Sequence, residues 1–266
     1  MKKFHIEGTW RAEDDKTVTG DTWAGSFFDF CTQAVQDDNL FKTFKQHPIF
    51  TSIVGSDVRG FSFAQECLNE ITNPEIQGSL SKFSSGDQYG NPPTYEIEEI
   101  GLIAAGTLYH AAILNEILEK VGEVKELDVI EIGAGYGGQA KVMLDYGVRS
   151  YTLVDMLSPS KLQQKYLDLF EYDNVEFWDA ENLQDGEWDL VISNWCLSEF
   201  NNSGIEFYVN NIISKCKAGY FLMNLWDTER EAFVIDLMKK YFSDVQVFQE
   251  KIRTHSGPNW LLVVKK

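Results

Sequence analysis

The chain has 266 residues, enough for one large domain, or for a core domain with a smaller attachment. Its 23 Lys and Arg stand against 41 Asp and Glu, a formal net charge of −18. With no basic run to offset that acidity, tight non-specific binding to nucleic acid or anionic lipid is excluded. The four cysteines, Cys31, Cys67, Cys196 and Cys216, show no C-x-x-C spacing. Reduced thiols are therefore expected, with no zinc site; the many acids leave a divalent ion open, though no ligand spacing demands one and no metal ligands are assigned. MKKFHIEGTW lacks the apolar run of a signal peptide, and GLIAAGTLYHAAIL (101–114) is too short to span a bilayer. A cytoplasmic protein is expected.

From about Thr22 to Lys120 the pattern is helical, with no convincing strand. Trp23, Phe27, Phe28 and Cys31 recur at helical spacing, as do Phe61, Ala64, Cys67 and Leu68. These aromatic residues are expected in the core. SSGDQYGNPPTY (84–95) reads as a turn-rich connection, followed by a long helix from about Glu96 to Val121. Residues 1–120 are expected to form a helical cap on the acceptor side, with a possible dimer interface.

From Leu127 the texture alternates. Strands are expected near 127–132, 151–155, 174–178, 188–193 and 219–224, with helices near 137–146, 160–170 and 204–216. That alternation predicts an α/β fold with a parallel sheet covered on both faces. After the helix EREAFVIDLMKKYF, two strands (DVQVFQEKI and NWLLVVKK) flank the turn RTHSGP, and the last is expected to run antiparallel.

VIEIGAGYGGQAKVML (129–144) carries the strongest motif. Gly133, Gly135 and Gly138 fit G-x-G-x-x-G, a turn that lets a ligand approach the backbone. No G-K-[ST] follows, so a nucleoside triphosphate loop is excluded. Asp155, 20 residues after Gly135, suits ribose hydroxyls in either a nicotinamide or an S-adenosylmethionine enzyme. Three features favour S-adenosylmethionine. Glu131 would repel a pyrophosphate but suits an ammonium group. Asp179 is placed to accept from an adenine amino group. The reversed final hairpin departs from the dinucleotide sheet in the manner of class I methyltransferases. The expected cofactor contacts are Glu131, Gly133, Ala134, Gly135, Tyr136, Gly137, Asp155, Met156, Asp179, Ala180 and Asn194. A nicotinamide-dependent oxidoreductase and a non-catalytic cofactor-binding protein stay open as alternatives.

The chain resembles the sugar O-methyltransferase family of class I, S-adenosylmethionine-dependent enzymes. The resemblance rests on EIGAGYGGQ (131–139), YTLVDM (151–156), LQQKYL (162–167) and, most of all, DLVISNWCLSEF (189–200), with YGNPP (89–93) and THSGPNWLLV (254–263) as further blocks. It implies a Rossmann-like sheet with an antiparallel last strand in a domain spanning 121–266. It also implies methyl transfer to a sugar hydroxyl in bacterial surface-glycan biosynthesis, such as capsule or O-antigen. The acceptor would be a nucleotide sugar, a lipid-linked glycan or a polymer. Trp195, Cys196 and Leu197 depart from the family pattern, and TLYHA (107–111) lacks its arginine, so the particular acceptor stays open, a non-sugar small molecule included.

Methyl transfer is an in-line displacement from a neutral leaving group, so alignment and removal of the acceptor proton are the protein's tasks. Glu199, just after the fourth expected strand, is the first candidate base; its plain alternative is a carboxylate at a helix N-terminus. His255, in the last turn, is the second, and its alternative is a solvated loop histidine. His110 inside the long helix is a lesser acceptor candidate and more simply a packed side chain. Tyr136 and Trp195 suit stacking on a sugar face, with packing as the even alternative. GFSFA (60–64) only distantly resembles a nucleophile elbow and has no strand before it.

Overall fold

The computed structural model describes residues 23–55, 59–224, 228–252, 254 and 259–266, with side chains from residue 25 onward. Five helices come first: α1 (Trp23–Gln36), α2 (Asp38–Phe41), α3 (Pro48–Ile53), α4 (Phe61–Glu70) and α5 (Pro74–Phe83). Local chemistry starts several of them. Asp37 accepts the N–H groups of Asn39 and Leu40 at the head of α2, and Asn73 accepts those of Glu75 and Ile76 at the head of α5. Pro48 and Pro74 occupy first-turn positions where no N–H is needed.

The long helix expected from Glu96 begins later. A hairpin of β1 (Thr94–Ile97) and β2 (Gly101–Ala104) takes up the start of that segment, and α6 spans Ala105–Lys120. Left-handed backbone at Glu99 (φ 69°) and Gly101 (φ 88°) turns the hairpin. The start signal for α6 is not local. Asp87, 17 residues before Ala104, accepts its N–H at 2.7 Å and the Thr107 hydroxyl at 2.6 Å. No side chain beside residue 105 does this work, so sequence spacing could not show the boundary.

The sheet matches expectation closely. Its strands are β3 (Asp128–Ile132), β4 (Ser150–Asp155), β5 (Val175–Asp179), β6 (Trp188–Asn194), β7 (Cys216–Met223), β8 (Asp244–Gln249) and β9 (Trp260–Lys265). They lie in the order β5-β4-β3-β6-β7-β9-β8. All neighbours run parallel except β9, which is antiparallel to both β7 and β8. This is the expected Rossmann-like sheet with an antiparallel last strand, preceded by a helical region. Between strands run α7 (Gly138–Tyr146), α8 (Leu157–Leu167), α9 (Asn202–Asn211) and α10 (Thr228–Met238). The helix expected to reach 216 ends at Asn211. Strand β7 starts early, at Cys216, where Lys217 pairs with Asp189 of β6 at 2.7 Å.

Alternation along the strands divides the apolar core. On one face, Val129, Leu153, Ile192 and Tyr220 join Leu108, Ile113, Phe30, Phe44 and Phe50, so the early helices and the sheet share one continuous cluster. On the other, Ile130, Val154, Val191 and Phe221 pack with Tyr208, Val234 and Leu237. No helix among the described residues is long and apolar enough to cross a membrane.

Within the first cluster lies a fully buried cation. The Lys45 ammonium sits 4.6 Å from the Tyr136 ring centre, 5.2 Å from that of Tyr166 and 4.0 Å from Asp87, with no hydrogen-bond partner among the described residues. Lys45→Met removes the charge together with its desolvation cost, so its melting temperature should stay near the wild-type value or rise. Asp87→Ala strands the cation and uncaps α6, and should cost about 3 kcal/mol in denaturant unfolding.

Candidate functional site at the carboxyl ends of the strands

Strands β3, β4, β5 and β6 end on one edge and present Glu131, Asp155, Asp179 and Asn194 there. Residues 133–137 turn the chain from β3 into α7. Gly133 (φ 74°), Gly135 (φ 59°) and Gly137 (φ 92°) are all left-handed, a geometry that L side chains resist. A methyl group on Gly133 would collide with Cys196, so β6's outgoing turn presses on the loop there. Gly135 differs: a methyl group would make an ordinary contact with Val54, at 3.8 Å, and meet no other described atom within 4 Å.

Asp155 anchors the turn. Its carboxylate accepts from the Met156 N–H at 2.8 Å and from Gln163 Nε2 at 2.8 Å. Gln163 also donates to the Gly135 carbonyl at 3.1 Å. Burial pushes the Asp155 carboxyl up to about 7, against the pull of these donors and of the Gly135 and Ala134 N–H groups. Asp179 is its register partner, and Ala180 N–H donates to the Asp155 carbonyl at 2.8 Å. Asn182 and the Glu181 N–H hold the Asp179 side chain.

Glu131 is 2% exposed and accepts from the Tyr151 hydroxyl at 2.8 Å. Burial first, then the Asp155 charge, raise its carboxyl to about 8 against that hydrogen bond. Burial, followed by the charges of Asp155, Glu199 and Glu131, raises the Cys196 thiol far above its usual value. These three carboxyl groups therefore act on the thiol that meets Gly133. Burial with Cys196, Asp155 and Asp179 does the same to the Tyr208 hydroxyl on α9. The edge gathers carboxyl groups in partly dry surroundings, where burial keeps the protons of Glu131 and Asp155 on into the neutral range.

At the end of β6, Asn194 Oδ1 is buried without a hydrogen-bond partner among the described residues, and so is Asn224 Oδ1 just beyond β7. Gln163 Oε1 is a third such acceptor. Trp195 holds φ 74°, a costly conformation for a bulky residue, with its N–H on the Leu222 carbonyl at 2.8 Å. Glu199 is half-buried at the end of a short 3-10 turn, Cys196–Glu199.

The remaining candidates fall elsewhere. Tyr136 is a core residue rather than an exposed loop aromatic: it is 2% exposed, and Phe44, Phe50 and Tyr166 pack on its ring. His110 lies in the same cluster beneath the loop, where burial and then the nearby Lys45 charge lower its pKa to about 4. It is neutral at physiological pH. His255, His5 and the Trp23 side chain lie outside the described residues. Met156 is half-buried at the head of α8. Sequence spacing missed Gln163, Tyr208 and Asn224. The last had a usable signal, an amide at the end of a parallel strand, as in Asn194.

No protein-family model matches the chain. It is similar to a segment of the non-reducing polyketide synthase mapC of Penicillium roqueforti, 27% identical over 177 residues, which is 61% of this chain and 7% of that protein. A segment of polyketide synthase ausA of Emericella nidulans is 28% identical over 52% of this chain and 6% of that protein. The chain thus spans well under a tenth of the length of these relatives. Among solved structures, magnesium protoporphyrin IX methyltransferase of Synechocystis PCC 6803 with bound S-adenosylmethionine superimposes with a TM-score of 0.48 at 14% identity, covering 59% of this chain and 77% of that one. An O-methyltransferase family protein of Burkholderia thailandensis gives 0.42 at 17%, covering 60% and 58%.

The Glu131 carboxyl titrates near 4.5 when unfolded and near 8 when folded. The folded state holds that proton more tightly across the window, so this residue's contribution is full below about 4.5 and is lost as pH rises through 8. Glu131→Gln, which still accepts from Tyr151, should gain melting temperature relative to wild type between pH 5 and pH 8.5. An unchanged difference across that range would place the titration on another group.

Proposed function

We propose that the protein is an S-adenosylmethionine-dependent methyltransferase, with its cofactor across the ends of β3, β4 and β5 and its acceptor beyond β6 and β7. The observation that carries this is the field of the carboxyl groups Glu131, Asp155, Asp179 and Glu199, which act on Cys196 and Tyr208 at the strand ends, beside a glycine turn where a methyl group on Gly135 would meet only Val54 among the described atoms within 4 Å. Such a field favours a ligand with a sulfonium and an ammonium group. It opposes the pyrophosphate of a nicotinamide dinucleotide. The unpartnered amide oxygens of Asn194 and Gln163 fit a site built for donors that a ligand brings.

In this reading the backbone from Gly133 to Gly137 cradles the ligand, Asp155 takes the ribose hydroxyls, and Asp179 with Ala180 holds the adenine. When bound, the cofactor supplies a methyl group made electrophilic by a positively charged sulfur. The chain's own tasks are alignment and proton removal. Glu199, at the acceptor end, takes the acceptor proton as the new bond forms. Trp195, fixed in a strained conformation beside Asn194, shapes the wall against which the acceptor lies.

Two acceptor classes have support. The resemblance at 189–200 favours a sugar hydroxyl, in surface-glycan biosynthesis. The likeness to segments of polyketide synthases favours a polyketide-type acyl acceptor instead. Glu199 serves as base in either case.

Calorimetric titration tests the cofactor: S-adenosylhomocysteine and S-adenosylmethionine should bind at micromolar concentrations, and NADH should not. Binding of NADH alone would overturn the reading. Methyl-labelled cofactor offered with nucleotide sugars and with acyl thioesters then separates the acceptor classes. Glu199→Gln should keep cofactor affinity and lower transfer by about 100-fold or more.

A further inference from the structure

One buried side chain ties the glycine turn to the acid at the end of the next strand. Gln163 of α8 is 0% exposed. Its Nε2 group donates to the Gly135 carbonyl at 3.1 Å and to Asp155 Oδ2 at 2.8 Å. Asp155 Oδ1 accepts from the Met156 N–H at 2.8 Å.

The position calls for a neutral donor with two hydrogens, because both partners of Nε2 are acceptors. Each bond fixes something different. The bond to Oδ2, with the Met156 bond to Oδ1, sets the plane of the Asp155 carboxyl, and it favours the charged form against burial. The bond to the Gly135 carbonyl sets the plane of the peptide that follows. In a trans peptide the N–H lies opposite the C=O, so the direction of the Tyr136 N–H is set as well.

Stability of the fold does not account for this amide. Its Oε1 is buried with no hydrogen-bond partner among the described residues, a cost that an apolar side chain of similar volume would avoid. Helix α8 has other anchors. Leu162 and Tyr166 are buried in the core, and Lys165 reaches the Val35 carbonyl at 2.9 Å and Asp38 at 2.7 Å. These hold the helix in place whether or not residue 163 carries an amide.

We infer that Gln163 is a positioning residue for the cofactor, which aims Asp155 at the ribose hydroxyls and holds the Gly135 peptide beside them. It acts through those two groups rather than by touching the ligand. The inference rests on the methyltransferase reading, in which Asp155 takes the ribose hydroxyls.

The probes are S-adenosylhomocysteine and its 2′,3′-dideoxyribose analogue, titrated by calorimetry into the full chain and its variants, with melting temperatures recorded alongside. Wild type should bind S-adenosylhomocysteine at least about 10-fold more tightly than the analogue. Gln163→Met should melt close to wild type and bind S-adenosylhomocysteine about 10-fold more weakly, the scale of one hydrogen bond to a charged group. Its loss for the analogue should stay below about 2-fold, so that most of the preference for the hydroxyls disappears. Gln163→Glu sets a second carboxyl against Asp155 and should lose at least as much of that preference. A merely structural role would weaken both ligands alike. Equal losses for the two ligands, or an unchanged affinity for S-adenosylhomocysteine in Gln163→Met, would overturn the inference. Should Gln163→Met fail to fold, Gln163→Glu is read by the same criterion, and unfolding of both would mark a structural residue and overturn it too. Wild type that binds both ligands equally would overturn the inference and leave the cofactor reading standing. Wild type that binds neither would overturn the cofactor reading, and the inference with it.

Discussion

The turn between β3 and α7 is the constraint on which the rest depends. Three of its glycines are left-handed, and it is held from two sides. Cys196 closes over Gly133, while Tyr136 reaches down among Phe44, Phe50 and Tyr166. Gln163 and Asp155 fix its position against β4. A turn clamped in this way can keep the backbone at Gly135 uncrowded without collapsing. The early helices are therefore part of the site's construction, since two of the residues under the turn come from them.

Buried charge is the second theme. Glu131 and Asp155 at the edge, Glu116 and Glu250 in a cavity between α6 and β7, and Lys45 in the core all carry ionisable groups out of water. Each costs stability unless something compensates it. For Lys45 the compensation is internal, in two tyrosine rings and Asp87. At the edge, the donors on Asp155 and the Tyr151 hydroxyl on Glu131 offset that cost only in part, since both carboxyls stay raised. The overall charge of −18 adds a negative field at long range.

Much of the sheet was legible in the sequence. Short apolar strands alternating with amphipathic helices have few ways to fold, and the reversed last strand followed from a polar turn between two apolar runs. The glycine spacing located the ligand edge, and the acids at 131, 155 and 179 fell at strand ends because strand length is set by apolar content. The hairpin at 94–104 was hidden because its neighbour α6 is capped by Asp87 from 17 residues away. The choice between stacking and packing at Tyr136 was not legible for a similar reason: the aromatic cluster that buries it comes from Phe44 and Phe50.

By itself, then, the sequence determined the order of elements, the left-handed turn and the acidic character of the edge, because these depend on local pattern and composition. Only the tertiary structure decided which acids lose their water, which amide oxygens are left without partners, and that α6 and β7 enclose a cavity with two carboxylates. Burial and hydrogen bonding are properties of neighbours in space, and such neighbours can lie 104 positions apart in the chain, as Glu116 and Tyr220 do.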